Sequence, residues 1–214
     1  MSLDALLVRP DIARLARRLA ERRGRTLEAE GPTRYAAIAL VVRPSIVGEP
    51  ELLMIKRAEL EHDPWSGHVA CPGGRMEPTD RDLEHTAIRE TWEETGIDLA
   101  ADGMVLGTLD DISPRTPTLP PLVIRPFVAV VKPDVMIVES PEVAAAFWVP
   151  MASVRATESW GRALVAIRGV GDREVDVFRH GEYTVWGLTH RALTQFVRLL
   201  EEGRGKGEGG RGTA

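Results

Sequence analysis

The stretch GGRMEPTDRDLEHTAIRETWEETGI, residues 73–97, constrains what this chain can fold into more than any other. Two glycines open it, and a short acidic turn containing a proline follows. A helical run of about four turns then starts near Asp80 or Asp82, either of which can cap it, and stops at Gly96. Glycines allow positive φ angles and a close approach of the backbone to a ligand. The stretch therefore predicts a tight loop that leads into a helix.

Three acidic side chains share one side of this predicted helix. Glu90, Glu93 and Glu94 fall within about 100° of one another on a helical wheel. The opposite side carries Ile88, Trp92 and Thr95. One side can therefore be buried while the other presents the carboxylates to a single point. Like charges at these spacings repel by about 0.2–0.5 kcal/mol per pair, so the acidic side is either solvated or ready to receive a cation.

A divalent cation suits this acidic side chemically. Mg²⁺ and Mn²⁺ prefer oxygen ligands, are held by a few carboxylates and waters, and leave positions open for substrate phosphates. Such an ion, placed between carboxylates and a diphosphate, polarises phosphorus and offsets the charge of the leaving group. Arg89 stands beside the acids and can hold one carboxylate through its planar guanidinium.

Composition limits the partners that the chain can have. The net charge is −5, and nucleic acids and anionic membranes both need a basic surface, so neither is an expected partner. Cys71 is the single cysteine, which excludes an internal disulfide and suits a reducing compartment. No apolar run reaches the ~20 residues of a membrane helix. These features predict a soluble, cytoplasmic protein.

Three segments follow from the patterning of the 214 residues. Residues 1–31 form a helical extension that begins near Pro10. It packs its apolar side on the domain or, as a basic amphipathic helix, binds a membrane surface or a partner, which includes a second copy of the chain. That apolar side carries Ile12, Leu15 and Leu19. Residues 32–201 form one domain, and residues 202–214 are Gly-rich and predict a disordered tail.

Apolar runs within residues 32–201 predict an α/β fold. The predicted strands are 35–43, 51–57, 68–71, 104–111, 122–131 and 147–150, with a hairpin about 170–172 and loops around Trp65 and Trp160. Besides the acidic helix, a helix over residues 188–201 closes the chain. Strands interrupted by one long helix and closed by another favour a mixed sheet covered on both faces.

Residues 73–97 resemble the Nudix box, GX5EX7REUXEEXGU, in which U is aliphatic. The matching residues are Gly74, Arg89, Glu90, Glu93, Glu94, Gly96 and Ile97. Asp80 stands at the first Glu position, eight residues separate it from Arg89, and Thr91 stands at the first aliphatic position. The first two departures, with the preceding PGG, are typical of the coenzyme A diphosphatase branch of the Nudix hydrolases. The resemblance implies an α/β/α sandwich with a mixed sheet and the Nudix loop and helix.

Two further segments are similar to this branch. Before the box, the segment LLMIKRAELEHDPWSGHVACPGG fits the branch signature at several positions. His62 stands where the signature has a second arginine, the loop is one residue longer, and Cys71 replaces a phenylalanine. After the box, VWGLTHRAL at residues 185–193 also resembles the branch. The matching positions before the box are Arg57, Ala58, Gly67, Pro72, Gly73 and Gly74.

The resemblance also implies roles for individual residues. Glu90, Glu93 and Glu94 would bind Mg²⁺ or Mn²⁺, and Arg89 would orient a glutamate. The loop packed against the helix would be shaped by Gly73 and Gly74, and Asp80 would cap the helix or support the site. For the general base the candidate from outside the box is Glu142, with Glu139 next, and a box glutamate is the alternative. Phosphate contacts are expected from Arg57 and Arg125.

The expected activity is a metal-dependent pyrophosphohydrolysis of a nucleoside diphosphate linked to another moiety. Coenzyme A or a derivative is the leading substrate, with 3′,5′-ADP and 4′-phosphopantetheine as products. Alternatives within enzymes are ADP-ribose, nucleotide sugars and nucleoside di- or triphosphates. A non-catalytic nucleotide-binding Nudix module is the alternative from another class, and the retained box glutamates argue against it.

Overall fold

A computed structural model of the chain describes residues 2–28, 33–45, 48–59, 65–114, 121–167 and 170–202. The helices, in chain order, are α1 (Leu3–Leu7), α2 (Pro10–Glu21), α3 (Leu83–Thr95), α4 (Met151–Arg155) and α5 (Gly187–Glu201). The strands are β1 (Arg34–Arg43), β2 (Glu51–Arg57), β3 (Val69–Ala70), β4 (Gly73–Arg75), β5 (Gly103–Thr108), β6 (Leu122–Val131), β7 (Val143–Pro150), β8 (Trp160–Ile167), β9 (Gly171–His180) and β10 (Tyr183–Trp186).

β1 lies in the middle of a seven-stranded mixed sheet. It pairs in parallel with β6 and antiparallel with β2 and β4. The sheet extends through β2 to β3 and β7, and through β6 to β5. A strand in this position has both faces covered, which is why the run YAAIALVV is almost continuously apolar. The remaining strands form a separate antiparallel sheet in the order β10-β9-β8.

Helices cover both faces of the large sheet. Alternate residues of β1 point to opposite faces, so Ala37 and Ala39 belong to one apolar cluster and Leu40 and Val42 to the other. The first cluster packs under α3, and the second packs under α2 and α5. The predicted α/β/α sandwich with a mixed sheet is confirmed.

The amphipathic helix near the start of the chain is α2, which Pro10 opens as predicted. Its apolar side is buried in the same cluster as α5 and the sheet, because Ile12, Leu15 and Leu19 are at most 5% exposed. Arg18 Nη1 donates a hydrogen bond of 2.8 Å to the carbonyl of Leu199 at the end of α5. The domain boundary at residue 31 stays a prediction.

The second sheet differs from the sequence prediction at its first residue. Trp160 was expected in a loop, but it starts β8, and β8 and β9 form a long hairpin through paired residues from Trp160–Phe178 to Ile167–Gly171. The Trp160 ring lies 5.2 Å from that of Phe178, and its Nε1 donates to the carbonyl of Val154 at 2.9 Å. The indole therefore anchors the hairpin to the domain.

Some sequence predictions lie outside the described residues. These are the disordered tail from residue 203 onward and His62 in the segment before the box. Within the part of the chain that the structure describes, none of the helices combines the length and apolarity needed to cross a membrane.

Candidate active site

α3 carries the candidate site, and its ends are capped by the residues that the sequence offered. Asp82 is the N-cap, since its carboxylate accepts a hydrogen bond from the backbone N–H of His85 at 2.8 Å. Gly96 ends the helix in the left-handed region, with φ of 68°. Asp80, the other candidate for the cap, points instead toward the middle of the helix.

The buried side of α3 is not the side that the wheel suggested. Trp92 is 58% exposed, whereas Glu94 is 2% exposed and lies among the buried residues of the helix with Thr91. The acidic side is thus partly turned into the protein. The physical reason lies in the loop before the helix, whose backbone offers a hydrogen-bond donor to Glu94 that compensates its burial.

Arg89 joins the acids of this site into one network. Its Nε and Nη2 donate to the two carboxylate oxygens of Asp80 at 3.0 and 2.9 Å, in a two-pronged pair whose Asp80 side chain is fully buried. Nη1 donates to Glu90 at 3.0 Å and to Glu93 at 2.8 Å, and Nη2 also reaches the carbonyl of Arg75 at 3.1 Å. Because Arg89 is its main hydrogen-bond donor, Asp80 has a pKa well below the usual range.

Gly73 and Gly74, which belong to the short strand β4, allow the backbone before α3 to lie directly against that helix. Gly73 has φ of 151°, and a Cβ there would meet the carbonyl oxygen of Ala37 at 2.3 Å. Its N–H donates to Oε2 of Glu94 at 2.9 Å. A Cβ on Gly74 would stand 2.3 Å from Oε1 of Glu90. Position 73 therefore requires a glycine, whereas a side chain at position 74 would displace the Glu90 carboxylate.

Glu94 is the most buried acid of the helix and has an unusual ionisation. Burial raises its pKa to about 8, against the hydrogen bond from Gly73 and the charge of Arg57, which lower it. Arg57 Nη1 lies 3.2 Å from Oε1 of Glu94. The charges of Glu90 and Glu142 raise the pKa further.

Glu142, the predicted general base, lies in the same electrostatic neighbourhood. Burial is the main cause of a raised pKa at Glu90, and Glu142 and Glu93 add to it. The carbonyl of Glu142 accepts from the backbone N–H of Ala58 at 2.8 Å, which fixes this residue next to the end of β2. Its role as the base stays a prediction.

Glu139, the second candidate for the base, is engaged elsewhere. Its Oε1 accepts a hydrogen bond from the backbone N–H of Ala146 at 2.7 Å. This contact ties the carboxylate to β7 and makes Glu139 the weaker of the two candidates.

The convergence of the three glutamates on one metal ion stays a prediction. Among the described residues, no group of three or more His, Cys, Asp or Glu side chains has the arrangement that would hold a metal ion. Arg89 holds Glu90 and Glu93, and Glu94 is directed at the loop. The donor chemistry nevertheless fits Mg²⁺ or Mn²⁺, because these ions prefer hard carboxylate oxygens.

The two arginines expected to contact phosphate differ in position. Arg57 lies in the site and pairs with Glu94. Arg125 pairs with Asp111 through two hydrogen bonds of 2.9 Å. It also lines a cavity of about 240 Å³ at the start of α3, to which Glu90 and Glu94 do not contribute. Arg125 lies on β6, across β1 from β4, and its role as a phosphate contact stays a prediction.

Two aromatic residues beside the site were missed by sequence reasoning. His68 precedes β3, and its carbonyl accepts from the N–H of Arg57 at 2.9 Å. Trp186 ends β10, and its ring centroid lies 4.5 Å from that of His68. The motif VWGLTHRAL contains Trp186 and could have identified it as a candidate. Nothing in the sequence, however, linked that segment to the loop before the box.

The fold, the glycine loop and the acidic helix define a Nudix protein. The sequence model of the NUDIX domain family matches residues 32–166, and the chain belongs to this family of hydrolases.

Named relatives within this family agree with the predicted branch. The chain is 34% identical over 170 residues to the mitochondrial coenzyme A diphosphatase NUDT8 of Homo sapiens, covering 78% of this chain and 70% of that protein. With the NUDT8 of Mus musculus it shares 33% identity over 175 residues, covering 80% and 81%. The predicted resemblance to the coenzyme A diphosphatase branch is therefore confirmed.

A solved structure shows the same fold. The MutT/nudix family protein from Enterococcus faecalis aligns with a TM-score of 0.53 over 89% of this chain and 70% of that protein. At 15% sequence identity, this likeness concerns the fold alone.

Proposed function

We propose that this protein hydrolyses the diphosphate bridge of coenzyme A or a derivative, giving 3′,5′-ADP and 4′-phosphopantetheine. The observation that carries the proposal is the Arg89 network, which holds Glu90 and Glu93 beside the buried Glu94 on one helix. The similarity to named coenzyme A diphosphatases over most of the chain supports the choice of substrate.

The residues of the chain divide the chemistry among them. Glu90, Glu93 and Glu94 would hold Mg²⁺ or Mn²⁺, and the bound ion would polarise the phosphorus and offset charge on the leaving group. Arg89 positions two of these carboxylates and is itself fixed by Asp80. Gly73 directs its N–H at Glu94, which holds that carboxylate against the loop.

Water attacks one phosphorus, the bond between that phosphorus and the bridging oxygen breaks, and the bridging oxygen leaves with the other phosphate. A general base takes one proton from this water, so that each product carries a phosphate group. Glu142 is suited to this role because it lies close enough to Glu90 and Glu94 to raise the pKa of both. Arg57, whose guanidinium lies 3.2 Å from Glu94, would contact the diphosphate.

A substrate panel tests this function. We expect purified protein with Mg²⁺ or Mn²⁺ to cleave coenzyme A faster than ADP-ribose, nucleotide sugars or nucleoside di- and triphosphates. Preference for another member would reassign the substrate while keeping the reaction class. Absence of turnover with every member would favour a nucleotide-binding module.

Substitutions of the acids test the site itself. Glu93→Gln and Glu94→Gln should each lower kcat by at least about a hundredfold, the scale at which loss of a catalytic electrostatic contact is felt. Glu84→Gln is the matched control, because Glu84 is an exposed acid in the first turn of the same helix. Wild-type activity in both Gln variants would disprove the site, provided that circular dichroism shows all three proteins folded.

Localisation and assembly stay proposals. We propose a cytoplasmic protein on the basis of charge and cysteine content, although the human relative carries "mitochondrial" in its name. Homodimerisation is the second such proposal, and light scattering of the purified protein tests it.

A further inference from the structure

The two segments that resemble the coenzyme A diphosphatase branch outside the box meet in space. One precedes the box and includes His68, and the other begins at Val185 and includes Trp186. The rings of His68 and Trp186 lie 4.5 Å apart and are inclined by 56°. Both residues are half-buried, so part of each side chain remains accessible.

This aromatic pair lies next to the acids of the site. In the antiparallel pairing of β2 with β3, Lys56 is opposite Val69, and the next bond joins the Arg57 N–H to the His68 carbonyl. His68 is therefore beside Arg57 across the two strands. Side chains of directly opposed residues share one face of a sheet, and Arg57 reaches Glu94 of α3 on its face. Two residues, Arg57 and His68, thus link Glu94 to Trp186 through direct contacts.

We propose that Trp186, with His68, forms the contact surface for the nucleobase of the substrate, so that adenine stacks on the indole while the diphosphate lies between Arg57 and the acids. This assignment rests on the proposed function and adds the residues that hold the adenosine half. An indole and an imidazole present flat π faces, and a purine base stacks on such faces whatever its exocyclic groups. The pantetheine arm has no ring to match them.

The aromatic pair is formed by residues from both of the segments that resemble the branch outside the box. The segment before the box supplies Arg57 and His68, and the segment after it supplies Trp186. Val185, next to Trp186, is 2% exposed and anchors β10 in the core. Trp186 is therefore held in place by its neighbours and is a substrate-binding residue rather than part of the hydrolytic machinery.

Tryptophan fluorescence tests the assignment without requiring turnover. Adenine stacked on an indole quenches its emission, so titration of wild-type protein with 3′,5′-ADP should quench part of the signal. Trp186→Phe should lose this quenching. Trp92→Phe is the matched control because Trp92 is 58% exposed and lies on the outer side of α3. Quenching of Trp186→Phe equal to that of the wild type, or no quenching of the wild type, would overturn the proposal.

Kinetics separate the two halves of the substrate. Trp186→Ala should raise the inhibition constant of 3′,5′-ADP about tenfold or more, in line with the cost of losing one base-stacking partner. The inhibition constant of 4′-phosphopantetheine should stay within about twofold. Weakening of 4′-phosphopantetheine alone would assign the surface to the other half and overturn the proposal. If no diphosphate is cleaved but the 3′,5′-ADP quenching depends on Trp186, the proposed function fails and the adenine site stands.

Discussion

Asp80 occupies a place where a glutamate is usual in the box, and it forms the fully buried end of an ion pair with Arg89. Removal of one partner from a buried pair leaves the other charge uncompensated and costs about 3–5 kcal/mol. We therefore expect Asp80→Asn to lower the free energy of unfolding by about 3 kcal/mol in a urea titration. Asp102→Asn, which removes the partly exposed pair with Lys132, should cost less than about 1 kcal/mol. Equal costs would mean that burial does not set the strength of the Asp80 pair.

The ionisation of Glu94 gives the metal-free protein a characteristic pH dependence. Its pKa is raised by burial to about 8, from an ordinary value of 4.5. The folded state therefore binds more protons than the unfolded state between these values, and stability falls as the pH rises from 4.5 toward 8. The lowered pKa of Asp80 acts in a lower range and does not alter this slope.

Melting temperatures measured in a chelator between pH 5 and pH 9 check this prediction. The wild type should lose stability across the range, and Glu94→Gln should show a shallower decline because its amide does not titrate. Glu90, whose pKa burial also raises, leaves a residual slope. Parallel profiles for the two proteins would show that Glu94 is ionised to the same extent in the folded and unfolded states.

At the scale of the elements, the contact of β4 with α3 determines how Gly73 and Gly74 lie against Glu94 and Glu90. A Cβ on Gly74 would stand 2.3 Å from Oε1 of Glu90, so Gly74→Ala must displace that carboxylate. We expect kcat/KM to fall by about a hundredfold, because small displacements of a positioned group have effects of this size. Gly161→Ala is the control, since a Cβ there comes only within 3.6 Å of Arg179 Nη1, the end of a flexible side chain. An unchanged kcat/KM in Gly74→Ala would show that the position of Glu90 is not critical.

The local signals in the sequence predicted the elements around the site well and their contacts poorly. Asp82 and Gly96 end α3 as expected, because caps depend on neighbouring residues alone. The burial of Glu94 was not predicted, because it depends on a backbone N–H at Gly73, twenty-one residues earlier in the chain. The contact of His68 with Trp186 joins segments that are still further apart. Periodicity contains no information on such pairs.

At the scale of the whole molecule, the N-terminal helices are part of the main core. Leu6 and the buried side of α2 share one apolar cluster with α5 and with the α2-facing side of the large sheet. The second sheet joins the same cluster through Phe178 and Val185. The opposite face of the large sheet, under α3, carries a smaller cluster that positions the acidic helix. Loss of the N-terminal segment would therefore expose the part of this side that α5 does not cover.

A substitution at Leu15 on α2 tests whether the N-terminal segment unfolds with the domain or is the separate extension that the sequence predicted. It is 4% exposed within the shared cluster, so Leu15→Ala removes buried methyl groups and leaves a cavity that costs about 2–5 kcal/mol. In a domain of this size, each kcal/mol lowers Tm by about 2–4 °C, so the variant should melt roughly 4 °C lower or more. Val8→Ala, at a position that is 78% exposed, should stay within about 0.5 kcal/mol of the wild type. A single calorimetric transition that shifts as a whole in Leu15→Ala would show that residues before position 31 unfold with the Nudix domain. A separate early transition, with the main one unmoved, would instead support the boundary predicted at residue 31.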